Sequence, residues 1–521
     1  MSESATPSNR PPIARRIGFW LGLVVFFLIV GFGNFDPENP LIGRMAAVAA
    51  LMAIWWITDA ISLAATSMLP LILFPLLGIM TGKEVAPVYM NYIIFLFLGG
   101  FMIALAMERW NLHKRIALNI VRVIGGSPAR LVLGFMIATA FLSMWISNTA
   151  TTIMMLAIGL AVIKATEDRF GRENVGNLSV AMLLGIAYSA SVGGLATLVG
   201  TPPNLTLSRM FELLFPKAEE AGYSISFGQW MLMGVPLTLI MLLVIWVLLT
   251  QVFFKVKGRY SLSREVIDEE HSKLGKISYE EIMVAIVFAL TALLWVFRRK
   301  LEIGSISIPG WSGLLPNGKF IDDGTIAVAM ALLLFLIPAK KKEQSEGYGS
   351  ILDFGVFTKI PWHIILLYGG GFALAKGFQS SGLSLWVGSA FSSLEGTPTL
   401  LMIGTICTML TFLTELTSNT ATTELILPLL ASVATATNVH PLLLMVPAAL
   451  SASCAFMMPV ATPPNAIVFA SGRIRIAQMV KVGFFLNLIG VIVITLLFYL
   501  LGPSVFGIEP GVMPELSLIH I

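Results

Sequence analysis

The sequence is short of charge and of cysteine, and both shortages narrow the classes of protein that it can encode. Only 12% of its 521 residues are charged, whereas a soluble domain carries about 25%. Its two cysteines, Cys407 and Cys454, lie in apolar stretches without a metal-binding spacing, and one such pair predicts no disulfide framework. The five histidines are scattered, and HExxH, P-loop and GxGxxG motifs are absent. Without a metal cluster or a nucleophile–base pair, the sequence does not predict an enzyme.

Long apolar runs dominate the chain instead. Hydrophobic residues make up 56% of it, and its mean hydropathy is +0.86. Because a spanning helix needs about 20 apolar residues, we predict an all-α polytopic membrane protein with about eleven transmembrane helices. The predicted spans are 17–35, 42–60, 64–80, 91–108, 178–210, 229–252, 280–298, 323–339, 360–380, 440–471 and 474–502.

The distribution of Lys and Arg predicts the orientation of these spans. Arg15-Arg16 precedes the first span and places the N-terminus in the cytoplasm. Basic clusters at 255–264, 340–342 and 473–481 fall on the same side, which accounts for the net charge of +4 without a nucleic-acid partner. An odd number of spans then leaves the C-terminus outside. The run Arg298-Arg299-Lys300 is an exception, because this arrangement places it outside.

An unchanged hexapeptide, Ser-Asn-Thr-Ala-Thr-Thr, occurs at 147–152 and again at 418–423, which are 271 positions apart. Each copy is followed by Thr-Pro-Pro-Asn, at 201–204 and at 462–465, which are 261 positions apart. The first half therefore has ten extra residues between its two motifs, and we place them in the polar segment 166–177. Two copies of both motifs, in the same order, indicate two related halves.

The apolar stretches 128–165 and 398–437 carry the hexapeptides at their middles. Each stretch could form two spans or a re-entrant hairpin, and the loop charges favour the hairpin. The unit is then a span, a hairpin, a helix broken near the midplane and a final span, made twice with inverted topology. The predicted parts are N-terminal scaffold spans (1–90), a first inverted repeat (91–252), a cytoplasmic loop with two linking spans (253–359), a second inverted repeat (360–502) and a C-terminal tail (503–521).

The repeated motifs combine helix caps with helix breakers. Ser, Asn and Thr are favoured N-caps, so each Ser-Asn-Thr would start a returning helix whose free N–H groups and positive dipole end face the membrane interior. Two such ends suit a ligand with two carboxylates. Pro202-Pro203 and Pro463-Pro464 prevent helix continuation and free the carbonyls of Gly200 and Ala461 for a small hard cation such as sodium. Transporters bind an anion and its coupling cation at sites of this kind.

Two acidic residues flank the second hexapeptide. Glu415 and Glu424 stand where the first half has Met144 and Ile153. A carboxylate at membrane depth is a functional candidate by default. The sequence leaves open whether these two support the ligand residues, bind a proton or form hydrogen bonds between helices.

The doubled hexapeptide, with Gly-Thr-Pro-Pro-Asn at 200–204 and Ala-Thr-Pro-Pro-Asn at 461–465, resembles the divalent anion–sodium symporter family, the INDY-type di- and tricarboxylate transporters. The likeness covers 91–252 and 360–502. It implies a homodimer of eleven-span protomers. In each protomer, a transport domain that carries both hairpins would move against a scaffold domain in an elevator movement.

The resemblance also implies which residues bind the ligands. The substrate carboxylates would be bound by Ser147, Asn148, Thr149, Ser418, Asn419 and Thr420, with Thr462 and Pro463 against the substrate. One sodium ion would be bound at the first hairpin tip by Ser143, Ser147, Asn148 and the carbonyl of Gly200. The other would be bound by Thr414, Thr417, Asn419 and the carbonyl of Ala461.

We therefore expect a secondary active transporter for sodium-coupled symport of C4-dicarboxylates such as succinate, malate and fumarate across the inner or plasma membrane. A sodium-independent dicarboxylate exchanger, or a citrate or sulfate transporter of the same family, stays open as an alternative. A cation–proton antiporter of similar architecture would need carboxylates at both repeat centres, and the first motif has none. The sequence fixes neither the sodium stoichiometry nor whether the C-terminal tail is native.

Overall fold

Helices form nearly all of the regular structure in the computed structural model, which describes residues 13–33, 35–256, 264–303, 306–340 and 349–509. Within these ranges, eight helices are long and apolar enough to cross a membrane. The only sheet there is a two-stranded antiparallel hairpin of β1 (Leu301–Ile303) and β2 (Ile306–Ile308). The predicted all-α polytopic membrane protein is confirmed. Most of the predicted C-terminal tail, from residue 510 onward, lies outside the described residues.

Five helices precede the first repeat. The predicted span at 64–80 is interrupted after Thr66, and α5 was not predicted. The second helix begins after Asn39, whose side chain accepts a hydrogen bond from the main-chain N–H of Leu41. The five helices are α1 (Ile13–Phe32), α2 (Pro40–Thr58), α3 (Leu63–Thr66), α4 (Leu69–Leu77) and α5 (Gly82–Tyr89).

The first repeat contains the predicted hairpin and the predicted broken helix. The hairpin turns at residues 144–147, and the broken helix is interrupted between Gly193 and Pro202 by a short 3₁₀ turn, Gly194–Ala196. Its helices are α6 (Tyr92–Arg109), α7 (Leu112–Ile124), α8 (Pro128–Ser143), α9 (Asn148–Phe170), α10 (Arg172–Gly193), α11 (Pro202–Leu214) and α12 (Phe227–Val247, continued by a π turn at Leu248–Phe253).

The segment between the repeats forms two apolar helices and their connections. Each residue of the exceptional basic run has a carboxylate partner: Arg298 pairs with Asp323, Arg299 with Glu219 and Lys300 with Glu302. The elements of this segment are α13 (Arg264–Lys273), α14 (Tyr279–Val296), the hairpin β1–β2, 3₁₀ turns at Trp311–Leu314 and Gly318–Phe320, α15 (Asp323–Leu336) and α16 (Val356–Lys359).

The second repeat has the same order of elements as the first. Its inner helices α20 and α21 are shorter than α9 and α10, which are separated by Gly171 alone, so the extra residues of the first half lengthen its helices. The elements are α17 (Trp362–Ser381), α18 (Leu383–Ala390), a 3₁₀ turn at Ser392–Leu394, α19 (Thr399–Leu413), α20 (Asn419–Ala436), α21 (Leu442–Ala452), α22 (Pro463–Phe469) and α23 (Ile476–Phe506).

The two repeats exchange helices at the centre of the molecule. The helix after the first break, α11, packs against α20 and α21 of the second repeat, and α22 packs against α9 and α10 of the first. The final helices α12 and α23 also pack together. Each hairpin therefore contacts the broken helix of the other half as well as that of its own half.

Candidate functional site

The first Ser-Asn-Thr motif starts a helix inside the protein. Ser147 is the N-cap of α9, and its hydroxyl oxygen lies 3.4 Å from the main-chain nitrogen of Ala150. The main-chain N–H groups of Asn148 and Thr149 have no protein acceptor within the described ranges. Open N–H groups at a helix start are ready to bind an anion.

Three oxygen atoms meet behind this tip. The hydroxyl oxygen of Ser143 lies 2.5 Å from Asn148 Oδ1 and 2.7 Å from the carbonyl oxygen of Ala190. A hydroxyl has one hydrogen, so it can donate to only one of these two acceptors. The other oxygen–oxygen contact has no proton between its atoms and is repulsive. Hydroxyl, amide and carbonyl oxygens around such a contact fit a sodium ion, which would relieve the repulsion.

The break in the first repeat brings Gly200 to this cluster. A Cβ atom on Gly194 would lie 2.9 Å from the carbonyl oxygen of Gly200 and 3.0 Å from Asn148 Oδ1. Asn204 of the Thr-Pro-Pro-Asn motif closes the loop, because its Nδ2 donates to the carbonyls of Gly194 (3.0 Å) and Thr197 (2.7 Å). The carbonyl oxygen of Gly200 and Oδ1 of Asn148 thus lie on the same side of Gly194, and the role of Gly200 as a sodium ligand stays a prediction.

The second repeat builds the same arrangement from different residues. The hydroxyl oxygen of Thr414 lies 2.5 Å from Asn419 Oδ1 and 2.9 Å from the carbonyl oxygen of Ala452. Asn465 Nδ2 donates to the carbonyls of Ala455 and Met458, at 3.1 Å each. Ser418 is the N-cap of α20 without a side-chain capping bond. Both halves therefore present one hydroxyl between two acceptors.

The remaining predicted ligands differ in how far they approach the clusters. The hydroxyl of Thr417 lies 2.9 Å from the carbonyl of Leu413 and 2.6 Å from the hydroxyl of Thr422, so it is hydrogen-bonded within its own hairpin. Thr462 caps α22 with its side chain, whereas Pro463 is exposed. The prolines of both motifs, 202–203 and 463–464, were predicted to prevent helix continuation, and they occupy the first two positions of α11 and α22. Two further predicted ligands are buried, Thr420 and Ala461.

Glu415 has a structural role that the sequence left open. One of its oxygens accepts hydrogen bonds from the main-chain N–H groups of Phe456 (2.7 Å) and Met457 (2.9 Å), and the other accepts from Met458 (2.9 Å). Asn487 of α23 donates a further bond at 2.8 Å. The carboxylate thus fixes the non-helical backbone of the second break. The first half has Met144 at this position, and there the carbonyl of that residue accepts a bond from Thr197.

Two glycines allow the final helices to reach the breaks. A Cβ atom on Gly234 would lie 2.5 Å from the carbonyl oxygen of Leu195, and one on Gly483 would collide with the carbonyl oxygen of Phe456. We did not predict this role. A signal for it exists in the sequence, because each glycine comes five residues after a glutamine, at 229 and 478, in equivalent positions of the repeats.

The site has no fixed positive charge at either tip, and the described residues contain no group of three or more His, Cys, Asp or Glu that could hold a metal ion. Neutral oxygens and open N–H groups are the binding elements. Each hairpin tip carries a Ser-Asn-Thr motif and lies next to a broken helix that carries a Thr-Pro-Pro-Asn motif. Two such tips define a secondary transporter that binds an anion together with a small cation.

Comparisons with known proteins agree with this class. A family model described as the sodium:sulfate symporter transmembrane region matches residues 16–508. The chain therefore belongs to this family, the divalent anion–sodium symporters that its motifs resemble. The sodium-dependent dicarboxylate transporter SdcS of Staphylococcus saprophyticus is 45% identical over 95% of this chain and 93% of the relative. SdcS of Staphylococcus aureus strain USA300 is 44% identical over 95% of this chain and 92% of the relative.

Two solved structures share the fold alone. The YdaH transporter of Alcanivorax borkumensis has a TM-score of 0.59 at 14% identity, over 96% of this chain and 100% of that one. MtrF of Neisseria gonorrhoeae, from a class of antimetabolite efflux pumps, has a TM-score of 0.59 at 13% identity, over 94% of this chain and 95% of that one.

Proposed function

We propose that this protein is a sodium-coupled symporter of C4-dicarboxylates such as succinate, malate and fumarate. The observation that carries the proposal is the duplicated oxygen cluster, in which the hydroxyls of Ser143 and Thr414 each face two acceptors. Each cluster lies directly behind a helix start with open N–H groups. The two SdcS relatives, which are sodium-dependent dicarboxylate transporters, support the same conclusion.

Electrostatics explains why the two ligands would bind together. A dianion in a membrane interior is costly, and the positive ends of α9 and α20 offset only part of its charge. Neither hexapeptide contains a Lys or an Arg. Sodium ions in the two clusters would offset the rest. Substrate affinity would then depend on sodium, and sodium affinity on substrate, by the same factor.

The two motif asparagines would connect the sites. Oδ1 of Asn148 and Oδ1 of Asn419 face the hydroxyls of their clusters. Within the described residues, their Nδ2 atoms donate no hydrogen bond to the protein, which leaves them available to a substrate carboxylate. Each amide would then bind sodium through its oxygen and substrate through its nitrogen.

The remaining predictions extend this proposal to the whole cycle. A homodimer would hold the scaffold helices fixed, while the domain with both hairpins moves in an elevator movement between two sides of a cell or plasma membrane. The N-terminus would lie in the cytoplasm and the C-terminus outside, as the basic loops predict. No chemical reaction is part of the cycle, so the protein would act as a carrier and not as an enzyme.

Uptake of radiolabelled succinate into proteoliposomes tests the proposal. We expect uptake with an inward sodium gradient, none with potassium in its place, and competition by malate and fumarate but not by sulfate. Uptake that ignores sodium but requires internal dicarboxylate would replace symport with exchange. If succinate is not taken up under either condition, whereas sulfate or citrate is, the substrate assignment is wrong.

A further inference from the structure

Glu424 is a buried carboxyl group that the transport site does not use. It lies on α20, six residues after Ser418, and is completely buried. Its Oε1 accepts a hydrogen bond of 2.8 Å from the hydroxyl of Thr206 on α11. Its Oε2 has no hydrogen-bond partner within the described ranges. This hydrogen bond joins the two repeats, and it leaves half of the carboxyl group unpaired.

The unpaired oxygen lies against the backbone of α17. A Cβ atom on Gly371 would coincide with Glu424 Oε2, so only a glycine leaves room for the carboxyl group there. The neighbouring Tyr368, one turn earlier on the same helix, is also buried, and its hydroxyl has no partner among the described residues. Gly369, two residues before Gly371, is covered by the ring of Tyr89, whose hydroxyl donates to the carbonyl of Ser67.

No positive charge compensates Glu424. The helices that pack against α20 are α2, α11, α17, α18 and α21, and none of their basic residues forms an ion pair with Glu424. Lys376 donates to Gln379, Arg209 pairs with Glu212, and Arg44 donates to the carbonyl of Leu77. The charged or titratable side chains of these helices, besides Tyr368, are Arg44, Arg209, Glu212, His363 and Lys376.

An ionised carboxylate with a single neutral hydrogen bond and no cation would be very costly at this depth. A neutral carboxylic acid avoids that cost. The observed packing against α17 therefore requires a proton on the carboxyl group, on the oxygen that Thr206 leaves free. The proton comes from water by forming one O–H bond, and it returns to water when that bond breaks.

The equivalent position in the first repeat shows that this is a property of one half only. Ile153 stands 271 positions before Glu424 and is 55% exposed. Ile467 stands where the first repeat has Thr206. The repeat symmetry that produces two oxygen clusters thus does not produce two carboxyl groups, and the chemistry of Glu424 belongs to the contact between α20 and α17.

We propose that Glu424 is a proton-binding site, occupied while α20 lies against α17 and released when that contact opens to water. This inference rests on the proposed transport cycle, in which the hairpin helices move against the scaffold and against α17, which packs on the N-terminal scaffold helices α2 to α5. Proton binding then favours the closed contact as the pH falls. One linked proton changes the ratio of closed to open forms by at most about tenfold per pH unit.

Two measurements on the full-length protein test the proposal. Infrared difference spectra at neutral pH should contain the C=O band of a protonated carboxylic acid in wild type, and Glu424→Gln should lose it. In sodium-driven succinate uptake, the pH profile of wild type should contain two contributions, the titration of Glu424 and that of succinate. Glu424→Gln should keep only the contribution of succinate, because glutamine mimics the protonated acid at every pH. Glu395→Gln, an exposed carboxylate in the loop after α18, should follow wild type.

Thr206→Val provides a second variant that changes no charge. The threonine hydroxyl stabilises the ionised form, so its removal should shift the wild-type pH transition upward by about one to two units. An unchanged infrared band in Glu424→Gln, or identical pH profiles in wild type and Glu424→Gln, would overturn the proton site. If wild type takes up no succinate, the transport proposal fails, and the infrared measurement alone decides on the proton.

Discussion

In the proposed site, Asn148 and Asn419 would each contact two ligands. The oxygen of each amide is directed to a hydroxyl that already has a carbonyl acceptor, and the nitrogen would bind the substrate. Because one side chain would contact both ligands, removing it should disturb substrate binding and sodium binding together. This distinguishes it from a residue that contacts only one of them.

We expect Asn148→Ala and Asn419→Ala to reduce succinate uptake more than about a hundredfold, since each loses a hydrogen bond to a charged group worth about 1.5–3 kcal/mol and a sodium contact as well. Purified protein should remain folded, with an unchanged elution profile in size-exclusion chromatography. Asn177→Ala, at an exposed position of α10, is the control. Wild-type uptake by either motif variant would refute the site.

His440 lies outside the transport site and is buried without a charged partner. It is 1% exposed, its Nδ1 accepts a hydrogen bond from the main-chain N–H of Leu442 at 3.2 Å, and its ring contacts that of Tyr223. Its Nε2 has no partner in the described part of the chain.

The buried hydrogen bond of His440 predicts a difference between two substitutions. In His440→Asn, the amide oxygen can replace the Nδ1 acceptor, whereas His440→Leu leaves the main-chain N–H of Leu442 buried without that acceptor, at a cost of about 1–3 kcal/mol. The melting temperature in detergent should therefore fall further for His440→Leu than for His440→Asn. Equal melting temperatures for the two variants would contradict this role.

The helix breaks depend on a close approach of the final helices. Gly483 of α23 contacts the backbone at Phe456, and Gly234 of α12 contacts the backbone at Leu195. Non-helical backbone at membrane depth is stable only when protein or a wet cavity satisfies it. A side chain at either glycine would push the final helix away from the break and move the carbonyls that face the oxygen clusters.

We expect Gly483→Ala to destabilise the protein by about 1–3 kcal/mol, the usual cost of overpacking, and to reduce uptake as well. Gly404→Ala on α19 is the matched control, because the nearest atom to its new Cβ would be 3.8 Å away. The apparent melting temperature and the uptake rate should both fall in Gly483→Ala, and neither should fall in Gly404→Ala. Equal values for the two variants would show that the contact is not required.

The hairpins, the broken helices and their prolines could be predicted from the sequence because the motifs that mark them occur twice in nearly identical form. Every predicted span contains helix, although the span at 64–80 is interrupted. The partners of Glu415 could not be predicted, since Asn487 lies 72 positions away and no repeated motif marks it. The position of the Thr417 hydroxyl depends likewise on a local competition between acceptors that sequence spacing does not decide.

The exchange of helices between the repeats links the two oxygen clusters through the body of the protein. Because α11 packs against the second hairpin and α22 against the first, the two halves pack together, although each oxygen cluster is built from residues of one half. A bidentate ion pair between Arg473, which follows α22, and Glu167 of α9 adds a further connection between the halves. We expect the two hairpins to move as one unit during transport.

The basic run at 298–300 fits the folded molecule even though it opposes the predicted orientation. Each of its three cations has a carboxylate partner, and Arg298 also donates to the carbonyl of Ile321 at 3.0 Å. The orientation rule counts basic residues and ignores such pairs. The sequence alone could not reveal this, because Glu219 lies 80 positions from Arg299.

The central claim is that sodium ions in the two oxygen clusters are needed for the dianion to bind. Isothermal titration calorimetry of the purified protein with succinate, in sodium and in choline, tests this claim most directly. We predict binding in sodium and none in choline. Thr414→Val, which removes the clustered hydroxyl, should need more sodium for the same affinity, whereas Thr414→Ser should behave as wild type. Equal succinate affinity in sodium and choline would contradict the account.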